Sequence, residues 1–93
     1  MSNTYQIYLI SDSTGETLDR IFLALKAQFI NVEYKVHSYS FTRTENQILK
    51  ILEDAQTNNN SIILYTIVDN NLAKYLANTS GDKKIPCFGV LGN

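Results

Sequence analysis

Hydroxyl-bearing residues gather at Ser11, Ser13 and Thr14, with Asp12 among them and Gly15 after them, where the apolar run Tyr5 to Ile10 gives way to a helical pattern. A short polar loop between a strand and a helix start collects free backbone N–H groups, hydroxyls and the positive end of a helix dipole. Together these suit an anion such as phosphate. Arg43 and Thr44 stand at a second junction of the same kind, and a guanidinium near a strand end can grip phosphate through two parallel hydrogen bonds. Ser11, Ser13, Thr14, Gly15, Arg43 and Thr44 form the candidate anion-binding set, with Asp12 and Asp69 as accessory members.

Each of these residues also has a purely structural reading. Ser13 with Glu16 three positions later fits a capping box, and the same N–H groups would serve a cap or an anion. Thr44 can cap the following helix, leaving Arg43 as an exposed neighbour. Asp12 repels phosphate unless it binds a metal or points away, and otherwise forms a turn. Asp69 could hold a cation or cap a helix. His37 falls on the wet side of an alternating strand, with no serine or cysteine nucleophile placed beside it, so it is expected to be solvated. Cys87 is expected to pack as a small apolar side chain. No catalytic residue and no metal ligand set is assigned within the chain.

Composition narrows the function classes. With 93 residues, 44% hydrophobic and 18% charged, the chain suits one small folded domain. A formal charge of −1 offers no basic field for a nucleic-acid backbone. No apolar run approaches the roughly 20 residues that span a bilayer, and Met1 to Gln6 does not open a signal peptide. A cytoplasmic protein is expected, with neither nucleic acid nor membrane as partner. One cysteine excludes an internal disulfide.

The elements that must position these residues alternate. Tyr5 to Ile10 is β-prone, and Leu18, Ile21, Phe22, Leu25 and Phe29 recur at helical spacing. Val32 to Phe41 alternates Val32, Tyr34 and Val36 against Glu33, Lys35 and His37, as in an edge strand with one wet face. Thr44 and Glu45 open a second helix with the stripe Ile48, Leu49, Ile51, Leu52 and Ala55. Ile62 to Val68, continuously apolar and β-branched, reads as the central strand of a parallel sheet. A third helix is predicted over Asn70 to Asn78, with Gly81 to Lys84 as a loop and Cys87 to Leu91 as a last strand after Pro86.

This order predicts right-handed βαβ units in a three-layer, open parallel α/β sheet of about four strands, order 2-1-3-4, with helices on both faces, Rossmann- or flavodoxin-like. Ligands of such sheets bind at the carboxyl ends of the strands beside the switch in strand order. The Ser11 to Gly15, Thr42 to Thr44 and Val68 to Asn70 loops should therefore converge, with Gly89 to Gly92 as a further candidate.

No glycine is followed by lysine, so the chain has no G-x-x-x-x-G-K-[ST] phosphate loop. Asp12 to Thr17 partly matches the [ST]-x-T-G-x-T phosphate loop of flavodoxins, which keeps a flavin-binding module as an alternative. A longer resemblance joins Ile7 to Thr17, Ala27-Gln28-Phe29, Arg43-Thr44, Leu64 to Val68, Ile85-Pro86-Cys87 and Leu91-Gly92. In order and approximate spacing these segments resemble the amino-terminal part of the pyruvate, phosphate dikinase and phosphoenolpyruvate synthase regulatory proteins.

The resemblance implies a bifunctional serine/threonine kinase and pyrophosphorylase. Such proteins use ADP to phosphorylate, and phosphate to dephosphorylate, a threonine of the dikinase or synthase, which are the implied partners. The family's glycine-rich nucleotide loop belongs to a downstream region not matched here. The chain is accordingly expected to bind no cofactor itself, ADP and phosphate being those of the full-length family, and to be inactive alone. It reads as a single domain over residues 1 to 93, an excerpt, a truncated gene product or one part of a split protein, with self-association or pairing with a missing carboxyl-terminal half as expected assemblies. A noncatalytic anion-binding or interaction domain is the alternative function.

Overall fold

A computed structural model describes residues 4–28 and 31–90. Their elements run β1 (Tyr5–Ser11), α1 (Glu16–Lys26), β2 (Tyr34–Tyr39), α2 (Glu45–Gln56), β3 (Ser61–Thr66), α3 (Asn70–Asp82) and β4 (Cys87–Gly89). The four strands form one all-parallel sheet in the order β2-β1-β3-β4, as the alternation of elements predicts. Both inner strands, β1 and β3, are flanked on two sides, as the order 2-1-3-4 requires.

Two apolar clusters hold the layers together. On one face Tyr8, Ile10 and Ile63 pack with Ile48, Ile51, Leu52 and Ala55 of α2 and Leu76 of α3. On the other, Ile7 and Leu9 pack with Leu18 and Phe22 of α1. The predicted stripes are therefore the buried ones, although Leu25 remains 39% exposed and Phe29 lies outside the described residues.

Several expectations need correction. α3 continues through Ser80 and Gly81 to Asp82, four residues beyond the predicted end, because Ser80 is fully buried and holds that turn on the protein. Gly81 is thus helical and not part of a loop. β2 is shorter than predicted, since Asn31 has a left-handed φ of 66° before it and Phe41 one of 54° after it. β4 is assigned only over three residues, and the Leu91 and Gly92 of the predicted last segment lie outside the described residues.

His37 also differs from its expected solvated state. Pairing opposite Tyr8 in the β1–β2 register places its ring 4.5 Å from the Tyr8 ring, nearly parallel, with Nε2 2.7 Å from Gln6 Oε1. Glu33 and Lys35 of the same alternating face are exposed as expected, so the departure is confined to His37, beside Tyr8.

Candidate functional site

The loop after β1 is clamped from both sides. On the β2 side, the Thr42 and Phe41 N–H groups donate to the carbonyls of Ser11 (2.8 Å) and Ser13 (2.9 Å). On the β3 side, the Asp12 N–H donates to the Thr66 carbonyl (3.4 Å), and the Asp12 carboxylate accepts from the Val68 N–H (2.9 Å). Asp12 thus spans the switch in strand order between β1 and β3. Its carboxylate is directed to the β3 end, which resolves the conflict between an acidic residue and an anion in the same loop.

Arg43 completes the enclosure. Its Nε donates to the Asp12 carbonyl (3.0 Å), and its guanidinium carbon sits 5.2 Å from the Phe41 ring centroid, close enough for a cation–π contact. The structure therefore brings Arg43 onto the Ser11 to Gly15 loop, as the convergence of strand ends requires. Nε is the guanidinium nitrogen that donates a hydrogen bond to a described residue, and the side chain is exposed.

The remaining candidates divide by what their polar groups already do. Ser11 is buried, its Oγ accepting from the Ser13 N–H (3.1 Å) and lying 3.3 Å from Ser13 Oγ. Ser13 does not form the expected capping box. α1 is capped by Gly15 without any side-chain hydrogen bond, in the left-handed conformation φ 86°, ψ 5° that a side chain would strain. The Thr14 hydroxyl is exposed and accepts a long 3.4 Å bond from the Glu16 N–H. Thr44 instead makes the real capping box: its Oγ1 accepts from the Gln47 N–H (3.1 Å), and Gln47 Oε1 accepts from the Thr44 N–H (3.0 Å) and the Arg43 N–H (2.7 Å). Asp69 caps α3 by accepting from the Leu72 N–H (3.0 Å).

A cavity of about 50 Å³ opens at the head of α1 between the β1 and β2 ends, lined by Ser11, Thr14, Gly15, Asp19, Ser38 and Ser40 among others. That volume accommodates water or one small polar group; nucleotides and flavins need roughly 300 Å³ or more. Glu16 and Asp19 add two carboxylates in the first turn of α1, against the single cation of Arg43. Among the described residues no group of three or more His, Cys, Asp or Glu side chains could hold a metal ion, and no helix is long and apolar enough to cross a membrane.

Two features escape a reading of sequence. Ser38 and Ser40 reach the cavity only because β2 lies beside β1, which no local pattern reveals. Gln47, by contrast, stands three residues after Thr44, a capping-box spacing visible in the sequence. Cys87 packs against the α2–α3 face, and burial pushes its thiol up from the usual range, leaving less of the reactive thiolate.

Comparison with known proteins agrees with this architecture in extent. Residues 7–93 match a family model described as kinase/pyrophosphorylase. The chain is 73% identical over 93 residues to a protein of Pelagibacter ubique (strain HTCC1062) that bears the provisional name pyruvate, phosphate dikinase regulatory protein. That match covers 100% of this chain and 34% of the relative. Proteins with the same provisional name from Geotalea uraniireducens (strain Rf4) and Brucella ovis (strain ATCC 25840 / 63/290 / NCTC 10512) are each 40% identical. These matches run over 86 and 89 residues, covering 92% and 94% of this chain and 32% and 31% of the relatives. The chain spans about a third of the length of the curated relatives it matches.

Proposed function

This chain belongs to the kinase/pyrophosphorylase family, and from that premise we propose that it is the amino-terminal portion of a regulatory enzyme acting on pyruvate, phosphate dikinase or phosphoenolpyruvate synthase. The enzyme uses ADP to phosphorylate a threonine of its target and phosphate to remove that group as pyrophosphate. The observation that carries this reading is the match along residues 7–93, joined to relatives whose provisional names specify regulation of the dikinase.

Phosphoryl transfer depends on positioning and on neutralising charge around the transferred group. In this chain Arg43 is the group suited to that work, held over the β1 loop by Asp12 and Phe41 with its terminal nitrogens directed to no other described residue. We assign Ser13, Thr14, Gly15 and Arg43 as an accessory phosphate subsite. Ser11 and Asp12 fix its shape, while Thr44 and Asp69 cap the adjoining helices. Nucleotide binding is left to polypeptide outside these 93 residues, because the chain contains no glycine-lysine phosphate loop.

Two measurements test these assignments separately. Titration with orthophosphate and pyrophosphate should move the amide resonances of Ser13 to Gly15 and the Arg43 Nε signal, and Arg43→Gln should abolish the movement. Silent resonances at those positions would sink the subsite. Incubation of this chain alone with ADP and the dikinase should leave the target threonine unphosphorylated. Transfer under those conditions would overturn the placing of the nucleotide site elsewhere.

A further inference from the structure

The two faces of the sheet are covered unequally. α2 and α3 pack side by side on one, whereas among the described residues α1 is the one helix on the other. In the second face the strand register aligns Leu9 with Leu64 and Leu64 with Phe88. Under α1, Leu9 is 3% exposed; Leu64 on β3 is half-buried, and Phe88 on β4 is 54% exposed. Ile62, one pleat lower, is also half-buried; the apolar hollow of about 220 Å³ that it borders extends toward β1 and β2, where Tyr5, Ile7, Val32 and Tyr34 line it. α1 reaches as far as β3, where Ile62 and Leu64 pack together with Val90 against its cluster, but Phe88 on β4 stays largely exposed, although strands of a parallel sheet are ordinarily covered on both sides.

Chain handedness explains which half is less covered. The crossover from β1 to β2 places α1 on one face, and the crossovers that run the opposite way, to β3 and then β4, place α2 and α3 on the other. A further crossover past the β4 edge would join α2 and α3. A helix over Leu64 and Phe88 must therefore come from polypeptide that returns across the sheet.

We propose that the patch Ile62, Leu64 and Phe88 is the docking surface for an amphipathic helix, laid beside α1, from the polypeptide that makes up the other two-thirds of the relatives' length. This chain corresponds to only 31–34% of those relatives, so they contain a long further stretch of polypeptide available to lie on the patch. The inference rests on family membership and is independent of the phosphate subsite and of kinase activity.

Thiol labelling of intact proteins tests it. Phe88→Cys is introduced together with Cys87→Ser in this chain, and a cysteine is placed at the aligned position of the intact Pelagibacter relative, freed of other reactive thiols. Labelling at this position should be at least tenfold slower in the relative than in this chain, at every protein concentration. A control cysteine at exposed Glu53 should react equally in both. Equal rates at position 88 would overturn the proposal, and so would protection that grows with protein concentration, which identifies a second copy as the occupant. Hydrogen exchange of the unaltered proteins reads the same contrast without substitution: the β4 and α1 amides should be slower in the relative, and unchanged rates would count against docking.

Discussion

Tyr8 is fully buried, yet its hydroxyl donates to the Asp54 carboxylate (2.8 Å) and accepts from Asn58 Nδ2 (3.0 Å), joining β1 to the end of α2. Burial, reinforced by the bond to Asp54, pushes its pKa up to about 12. A tyrosine held neutral in the fold stabilises it fully below the ordinary value near 10, and that contribution is lost as pH rises through the folded value. Burial shifts Tyr39 and Tyr65 in the same direction. Stability should therefore fall between about pH 10 and pH 12 in urea titrations, and Tyr8→Phe should shallow that fall. At neutral pH the same substitution should cost about 1 kcal/mol through the lost hydrogen bonds. Tyr8 was legible in the sequence as a strand residue and no more. Its partners lie 46 and 50 residues away, and the stack with His37 depends on a register that alternation alone does not fix.

Helix ends separate the legible from the illegible at the scale of elements. Thr44 and Ser13 both precede apolar helical patterns, but only Thr44 caps by its side chain, because the turn before α1 is closed by left-handed Gly15. Thr44→Ala should thus cost about 1 kcal/mol in chemical denaturation. Ser13→Ala should cost clearly less, and equal losses would contradict the capping assignment. Gly81 misled in the other direction: glycine suggests a helix end, yet burial of Ser80 keeps the chain helical past it. A Cβ at Gly81 would meet nothing within 4 Å. Gly81→Ala should raise stability by about 0.5 kcal/mol, since alanine loses less backbone freedom in a helix. The inner strands β1 and β3 were easier to read, because apolar runs of this length between helical patterns admit few other assignments, whereas the ends of β2 and β4 were not. The convergence of the Ser11 and Arg43 loops followed from strand order, while the division of labour within them depended on individual hydrogen bonds.

At the scale of the whole molecule, strand order also decides when the fold can form. β1 is the first element in the chain, but its two neighbours begin at Tyr34 and Ser61, so its second ladder waits until about two-thirds of the sequence is available. The burial of Tyr8 and Ile10 against α2 is likewise incomplete before β3 closes beside them. A polypeptide ending at residue 58 should show no cooperative melting by circular dichroism, whereas the 93-residue chain should melt in one transition. Cooperative unfolding of the shorter piece would mean that β1, α1, β2 and α2 are stable as a unit. Because every ladder is parallel and needs a long crossover, refolding should be slow for so small a domain, in the range of milliseconds to seconds. During synthesis the apolar Ile7 to Ile10 segment thus emerges early and is sheltered late, and this interval is when the chain is most dependent on chaperones to avoid aggregation.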